Sequence, residues 1–192
     1  TLFMGKRRNL NRNKEIINFP LIIIGMMLLW FGWFGFNGGN AFSVGLRCIY
    51  SIISTNISAC TSIFVWMIAD LIYYKKITAL TMGMGALSGL VGITSAAGYI
   101  YPQFAFIFGF LCGSMSWLSV FYRRKTKNYD EFDIFSCHGI CGILGILLTG
   151  LLANKEVDPN LTMNGLIYAI ISGDQNKLFI VYQIISLLVV SA

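Results

Sequence analysis

Charge is scarce in this chain. Asp, Glu, Lys and Arg make up 11% of the 192 residues, against 56% hydrophobic, where a soluble domain carries about 25% charge. With a mean hydropathy of +0.71, that deficit excludes a soluble globular protein and predicts an integral membrane protein. Histidine is scarcer still, with one residue, His138. No HExxH, GxSxG or TVGYG segment is present, and no pair of carboxylates falls inside an apolar run. The sequence therefore offers no constellation for an intramembrane enzyme or a potassium-type filter. The cysteines number five, Cys48, Cys60, Cys112, Cys137 and Cys141. An odd set scattered through apolar segments argues against a disulfide framework. Cys137 and Cys141 bracket His138, but a closed zinc site wants four ligands. They are read as small packing residues, and no metal or cofactor is expected.

What is abundant is the long apolar run. Pro20–Gly39, Leu46–Tyr74, Ala79–Ile100, Phe104–Tyr122, Ile134–Ala153 and Leu178–Ala192 follow one another. Runs near 20 residues, continuously apolar, predict membrane helices rather than alternating barrel strands. The fold class expected is all-α, a polytopic bundle of about six spans, with residues 1–192 in one membrane domain. Asn154 to Lys177 reads as the only long polar connection. No signal peptide follows Thr1, where Lys6, Arg7 and Arg8 come at once. A start at Thr and an end inside an apolar run suggest that both ends are cut.

Basic residues orient the spans. Lys6, Arg7, Arg8, Arg12, Lys14, Lys75, Lys76, Arg123, Arg124, Lys125 and Lys127 fall on one side, and only Arg47, Lys155 and Lys177 on the other. The positive-inside bias predicts a cytoplasmic Thr1 side and an outer Asn154–Lys177 connection. The net charge of +6 follows from that bias and requires no nucleic acid. Asp70, near Lys75 and Lys76, is expected in an interfacial ion pair.

His138 lies in Asp133-Ile-Phe-Ser-Cys-His-Gly-Ile-Cys-Gly-Ile-Leu-Gly145, an apolar, glycine-rich segment. Titratable groups inside a bilayer are costly and read first as functional. An imidazole changes charge near neutral pH and suits a protonatable substrate. The alternative is a satisfied hydrogen bond that glues two helices. Gly142 and Gly145 share its face, so that face points at another helix or at a narrow lumen. Gly85 and Gly89 have GxxxG spacing for close helix packing. Asp133 is expected to cap its helix. In the first run, Trp30 to Phe36 concentrates five aromatics and leads to Asn37 and Asn40. Aromatic faces lining a path can hold a cation or form an apolar constriction.

Three segments carry a family resemblance. Trp33-Phe-Gly-Phe-Asn-Gly-Gly-Asn-Ala41 resembles the GWFGFN-(A/G)-G-S-A signature of ammonium transporters, the Amt/MEP family related to Rh proteins. The Asp133–Gly145 segment is similar to that family's DVFGVHGVGGILG. Leu90-Val-Gly-Ile-Thr-Ser-Ala-Ala-Gly-Tyr99 is similar to LVxITPACGY, with Ser95 and Ala97 in place of Pro and Cys. Met4-Gly-Lys-Arg7 resembles the basic exit of the family's fifth helix. The motifs stand in family order over nearly the whole chain.

The resemblance implies helices six to eleven of an eleven-helix fold that assembles as a homotrimer, with one pore per subunit. It implies transport of ammonium or ammonia across a lipid bilayer. His138 would be the second of two pore histidines. Trp33, Phe36 and Ile134 would line the pathway, and Asn40 would stand where the family has Ser at an outer recruitment site. The first pore histidine would lie upstream of Thr1. A transporter-derived structural subunit without transport activity is the alternative.

Overall fold

The computed structural model describes residues 18–126, 133–173 and 178–191. Of the topology-bearing basic residues, Lys6, Arg7, Arg8, Arg12, Lys14, Lys127 and Lys177 lie outside these ranges, as does the Met4–Arg7 segment. The described residues are helical, without strands. The helices are α1 (Phe19–Gly39), α2 (Leu46–Tyr74), α3 (Ala79–Thr94), α4 (Ala105–Thr126), α5 (Cys141–Leu152), α6 (Leu166–Ile171) and α7 (Phe179–Ser191). A 3-10 turn, Pro102–Phe104, leads into α4, and a wider π-helical turn, Phe135–Ile140, leads into α5.

Local chemistry sets the ends. Asn18 Oδ1 accepts the Leu21 N–H at 3.1 Å, and Pro20 sits in the first turn of α1, where a proline ring suits the helix. Thr78 and Thr81 form a reciprocal capping box that opens α3. Helix α2 has 29 residues, about 43 Å at 1.5 Å per residue. It ends at Lys75, whose φ of 54° is left-handed.

Pro20–Gly39, Leu46–Tyr74, Pro102–Lys125 and Phe135–Leu152 are each long and apolar enough to cross a bilayer. Ala79–Thr94 and Phe179–Val190 are apolar but shorter. The third expected span is helical only to Thr94. Residues 95–100 turn instead, through Gly98 at φ 82°. The expected polar connection also contains a helix of its own, α6.

The bundle is built with apolar groups outward and small polar groups inward. On α2, Ser51, Ser54, Thr55, Ser58 and Ser62 are fully buried, while Ile53, Phe64, Ile68 and Leu71 are exposed. Lipid offers apolar side chains a good solvent, so helices associate through close packing of small residues. A β-carbon at Gly89 or Gly109 would overlap the Ser58 carbonyl. Helices α3 and α4 thus approach α2 at backbone distance, and Ser58 Oγ donates to the Gly89 carbonyl at 2.8 Å. Ile93, Ala96, Ile100, Ala105, Phe108 and Leu152 form the apolar core where α3, α4 and α5 meet.

Asn37 joins α1 to α2. Ser51 Oγ donates to the Asn37 carbonyl at 2.8 Å, and Thr55 Oγ1 donates to the Ser51 carbonyl at 2.7 Å. The Thr55 hydroxyl proton is thereby used, so its oxygen can only accept, and Asn37 Nδ2 donates to it at 2.9 Å.

The end opposite the described basic cluster is knitted by polar contacts. Arg47 pairs with Asp158 at 3.2 Å and lies over the Tyr99 ring at 4.7 Å. Asn154 N–H donates to the Tyr99 carbonyl at 2.9 Å. Tyr101 donates its hydroxyl to Glu156 Oε2 at 2.6 Å.

Two expectations about carboxylates are corrected. Asp70 is buried, and Trp117 Nε1–H donates to its Oδ1 at 2.8 Å. No ion pair to Lys75 or Lys76 occurs among the described residues, because the chain leaves α2 through the left-handed turn at Lys75. Asp133, expected as a helix cap, pairs with Arg123 and lies 3.9 Å from Arg124, both on α4. The π-helical turn that follows carries no side-chain cap at Ile134. Two guanidinium groups nearby outcompete backbone N–H groups for the carboxylate.

Candidate functional site: a histidine cleft between three helices

His138 sits in the π-helical turn, and its neighbours hold that turn in place. Ser136 and Cys137 are fully buried. The Ser136 and Ser119 hydroxyls lie 2.9 Å apart, tying the turn to α4. Ser88 Oγ donates to Cys137 Sγ at 3.4 Å, tying it to α3. With 136 and 137 turned inward, His138 projects from the other side and is exposed. Widened turns of this kind recur at functional sites because they re-aim a side chain.

His138 opens onto a cleft of about 640 Å³ between α1, α3 and α5. Trp33 and Phe36 line it from α1, Val91 and Thr94 from α3, Ser95 from the residue that follows α3, and Gly142 and Ile146 from α5. His138, Gly142 and Ile146 are four residues apart and share a helical face. The Trp33 and Phe36 rings meet edge to face, with centroids 6.0 Å apart. Trp33 Nε1–H donates to Thr94 Oγ1 at 2.9 Å, and Thr94 Oγ1 donates to the Leu90 carbonyl at 2.8 Å. The polar edge of the indole is thereby occupied and its apolar face is left to the cleft. Ser95 and Thr149 hydroxyls, 3.0 Å apart, bind α3 to α5 behind it. His138 is the one titratable group in this lining.

The glycines of α5 divide their work. At Gly142 a β-carbon would meet nothing within 4 Å, so this position leaves the cleft open. At Gly145 a β-carbon would overlap the Gly92 carbonyl, so this position brings α5 against α3. Gly145 is therefore a packing residue, and Gly142 is part of the wall.

Of the side chains singled out from the sequence, the structure brings together His138, Trp33 and Phe36. Ile134 is 53% exposed and lies outside the cleft lining. Asn40 is exposed at the C-terminal end of α1, also outside it. Asp133 belongs to the ion pair with α4. Leu29, Gly32, Val91, Thr94 and Ile146 line the cleft but were not anticipated. Leu29, Gly32, Val91 and Ile146 stand four residues from Trp33, Phe36, Ser95 and Gly142, and that spacing was the available signal; Thr94 carried none. Cys112, Cys137 and Cys141 are buried and form no disulfide among the described residues. Cys141 Sγ donates to the Cys112 carbonyl at 3.5 Å, a contact that packs α5 on α4. Among the described residues no three His, Cys, Asp or Glu side chains converge as metal ligands.

The family model of the Ammonium Transporter Family matches residues 1–192. The ammonium transporter Amt1 of Archaeoglobus fulgidus is 39% identical over 156 residues, covering 81% of this chain and 40% of that protein. The ammonium transporter of Bacillus subtilis is 37% identical over 158 residues, covering 82% of this chain and 39% of that protein. The crystal structure of Saccharomyces cerevisiae Mep2 superposes with a TM-score of 0.74 at 31% identity, covering 86% of this chain and 40% of that one. The chain thus spans about two-fifths of the length of these relatives. The match runs through the helices that build the cleft, and the chain belongs to the ammonium transporter family.

Proposed function

We propose that this chain forms one wall of a path for ammonium or ammonia across a lipid bilayer, as part of a longer or multi-chain transporter. The observation that carries this reading is the single imidazole of His138 set in a cleft otherwise lined by aromatic, aliphatic, hydroxyl and glycine positions. A cation entering an apolar passage loses hydration worth several kcal/mol. Ammonium can avoid that penalty by giving up a proton to water at the entrance, where the proton stays, and potassium cannot. Neutral ammonia then passes along the Trp33 and Phe36 faces, and His138 exchanges hydrogen bonds or a proton with it. Asn40 and Ile134, which lie outside the cleft lining, serve as approach residues in this scheme. The chain contributes no bond-breaking chemistry and is a transporter component rather than an enzyme. The basic end, with Lys75, Lys76, Arg123, Arg124 and Lys125, faces the cytoplasm. The complete protein is a homotrimer, with the exposed faces of α1 and α7 covered by the rest of the assembly or by lipid.

The test replaces His138 in the complete transporter, expressed in cells that depend on it for ammonium. His138→Gln keeps hydrogen bonding and removes proton exchange near neutral pH. The expected outcome is a loss of ammonium uptake of about a hundredfold or more, the scale of a lost proton-transfer group, or a loss of selectivity over potassium. Unchanged flux, selectivity and pH dependence in a folded His138→Gln protein would refute the proton-handling role.

A further inference from the structure

A second cavity, of about 680 Å³, lies at the basic end of the bundle, away from His138. Asp70 and Tyr74 from the end of α2, Lys76 from the connection, Thr78 and Thr81 from the start of α3, and Arg124 from α4 line it. Asp70 is 3% exposed, and its one hydrogen bond among the described residues comes from Trp117 to Oδ1. A buried carboxylate is expensive unless it is paired, so the remaining oxygen calls for a cation or a strong donor. On the other lining elements the charge is opposite. Lys76 and Arg124 are exposed cations, and the first turn of α3 adds the positive end of a 16-residue helix.

The surroundings indicate the membrane–water boundary. The Tyr74 ring contacts Tyr73 at 4.9 Å and Trp117 at 6.5 Å. Trp117 stacks on Phe121 at 5.3 Å, and Lys125 lies over Phe121 at 5.9 Å. Aromatic rings with basic side chains at one level are the mark of a headgroup layer. Leu71 and Ile72, both exposed, continue along α2 beside it.

We propose that this cavity holds the headgroup of an amine-bearing phospholipid of the phosphatidylethanolamine class. The ammonium group meets the free oxygen of Asp70. The phosphate meets Lys76, Arg124 and the start of α3, and the acyl chains lie along Leu71 and Ile72. One ligand thereby satisfies the buried anion and the exposed Lys76, and gives a second anionic partner to Arg124, which also lies 3.9 Å from Asp133. Basic pockets between membrane helices hold lipid phosphates in the same way, and Asp70 adds the requirement for N–H donors.

The test uses the complete transporter, delipidated in detergent, with bound lipid counted by native mass spectrometry. Dioleoyl phosphatidylethanolamine, phosphatidylcholine and phosphatidylglycerol are compared. The ethanolamine lipid is expected to bind about tenfold more tightly than the choline lipid, the scale of one charge-assisted hydrogen bond. Methylation removes the N–H donors and leaves charge and phosphate in place. Asp70→Asn keeps an acceptor for Trp117 and should abolish that preference. Arg124→Gln should weaken the ethanolamine and glycerol lipids alike. Equal binding of the three lipids by the unsubstituted protein overturns the proposal, whether or not Asp70→Asn folds. A preference that survives in Asp70→Asn also overturns it. Competition by soluble phosphoethanolamine as strong as the lipid's own binding would assign the cavity to a free metabolite and overturn the lipid.

Discussion

At Gly142 a β-carbon meets nothing within 4 Å, and at Gly145, almost one turn on, it overlaps the Gly92 carbonyl. The two residues are alike in sequence and opposite in consequence. Gly145→Ala is expected to lower stability by about 1–3 kcal/mol, the usual penalty of overpacking, while Gly142→Ala leaves stability unchanged. Thermal unfolding followed by tryptophan fluorescence measures both, and equal midpoints would contradict the assigned helix contact. His138, Trp33 and Phe36 were legible in the sequence because their chemistry is rare in an apolar chain. Leu29, Val91 and Ile146 were not, because aliphatic residues face both lipid and lumen and carry no contrast between the two. Ile134 was read into the wall from its position one turn before His138. The π-helical turn between them changes the register, and Ile134 ends outside the cleft.

Elements were legible where punctuation was strong. The starts of α1 and α3 follow Asn18 and Thr78, each a helix cap, and α2 ends at Lys75-Lys76. The end of α3 was overextended because residues 95–100 are as apolar as the helix before them. There the turn at Gly98 and the approach of Asn154 to Tyr99 decide the path, and both depend on chain remote in sequence. Asp70 was read from its charged neighbours in sequence and Asp133 from its place at a helix start, but their partners, Trp117 and Arg123, come from α4. The connection after α5 carries a local pH signature. Tyr101 lies outside the spans, and its hydrogen bond to Glu156 is the main cause that pushes its phenol pKa up to about 12. A raised folded-state value means that this contact contributes fully below the ordinary tyrosine value of about 10, and that the contribution is lost as pH rises from there to about 12. Ultraviolet titration of the phenols should show a late-ionising group that disappears in Tyr101→Phe and shifts toward the ordinary value in Glu156→Gln. Unchanged late ionisation in both variants would refute the assignment.

Across the whole molecule the pattern is that of a protein solvated by lipid, with serines and threonines inside and leucines, isoleucines and phenylalanines outside. The bundle's class, its apolar helices and their order were legible, since these follow from summed hydropathy. The cleft's shape was not, since it depends on which glycines separate and which touch. Orientation rests on the unequal distribution of basic residues. A membrane-impermeant thiol reagent applied outside should label Asn160→Cys above the background of the native cysteines and should miss Lys125→Cys; the reverse pattern would invert the topology. The most direct test of the central claim, that ammonia passes along the His138 face of the cleft, is ammonium uptake by Gly142→Phe in the complete transporter. A β-carbon there meets nothing within 4 Å, and the α3–α5 contact is made by Gly145 instead. Flux is expected to fall to the level of cells without the transporter, with the protein folded and assembled as before. Undiminished flux in a folded Gly142→Phe protein would place the path elsewhere.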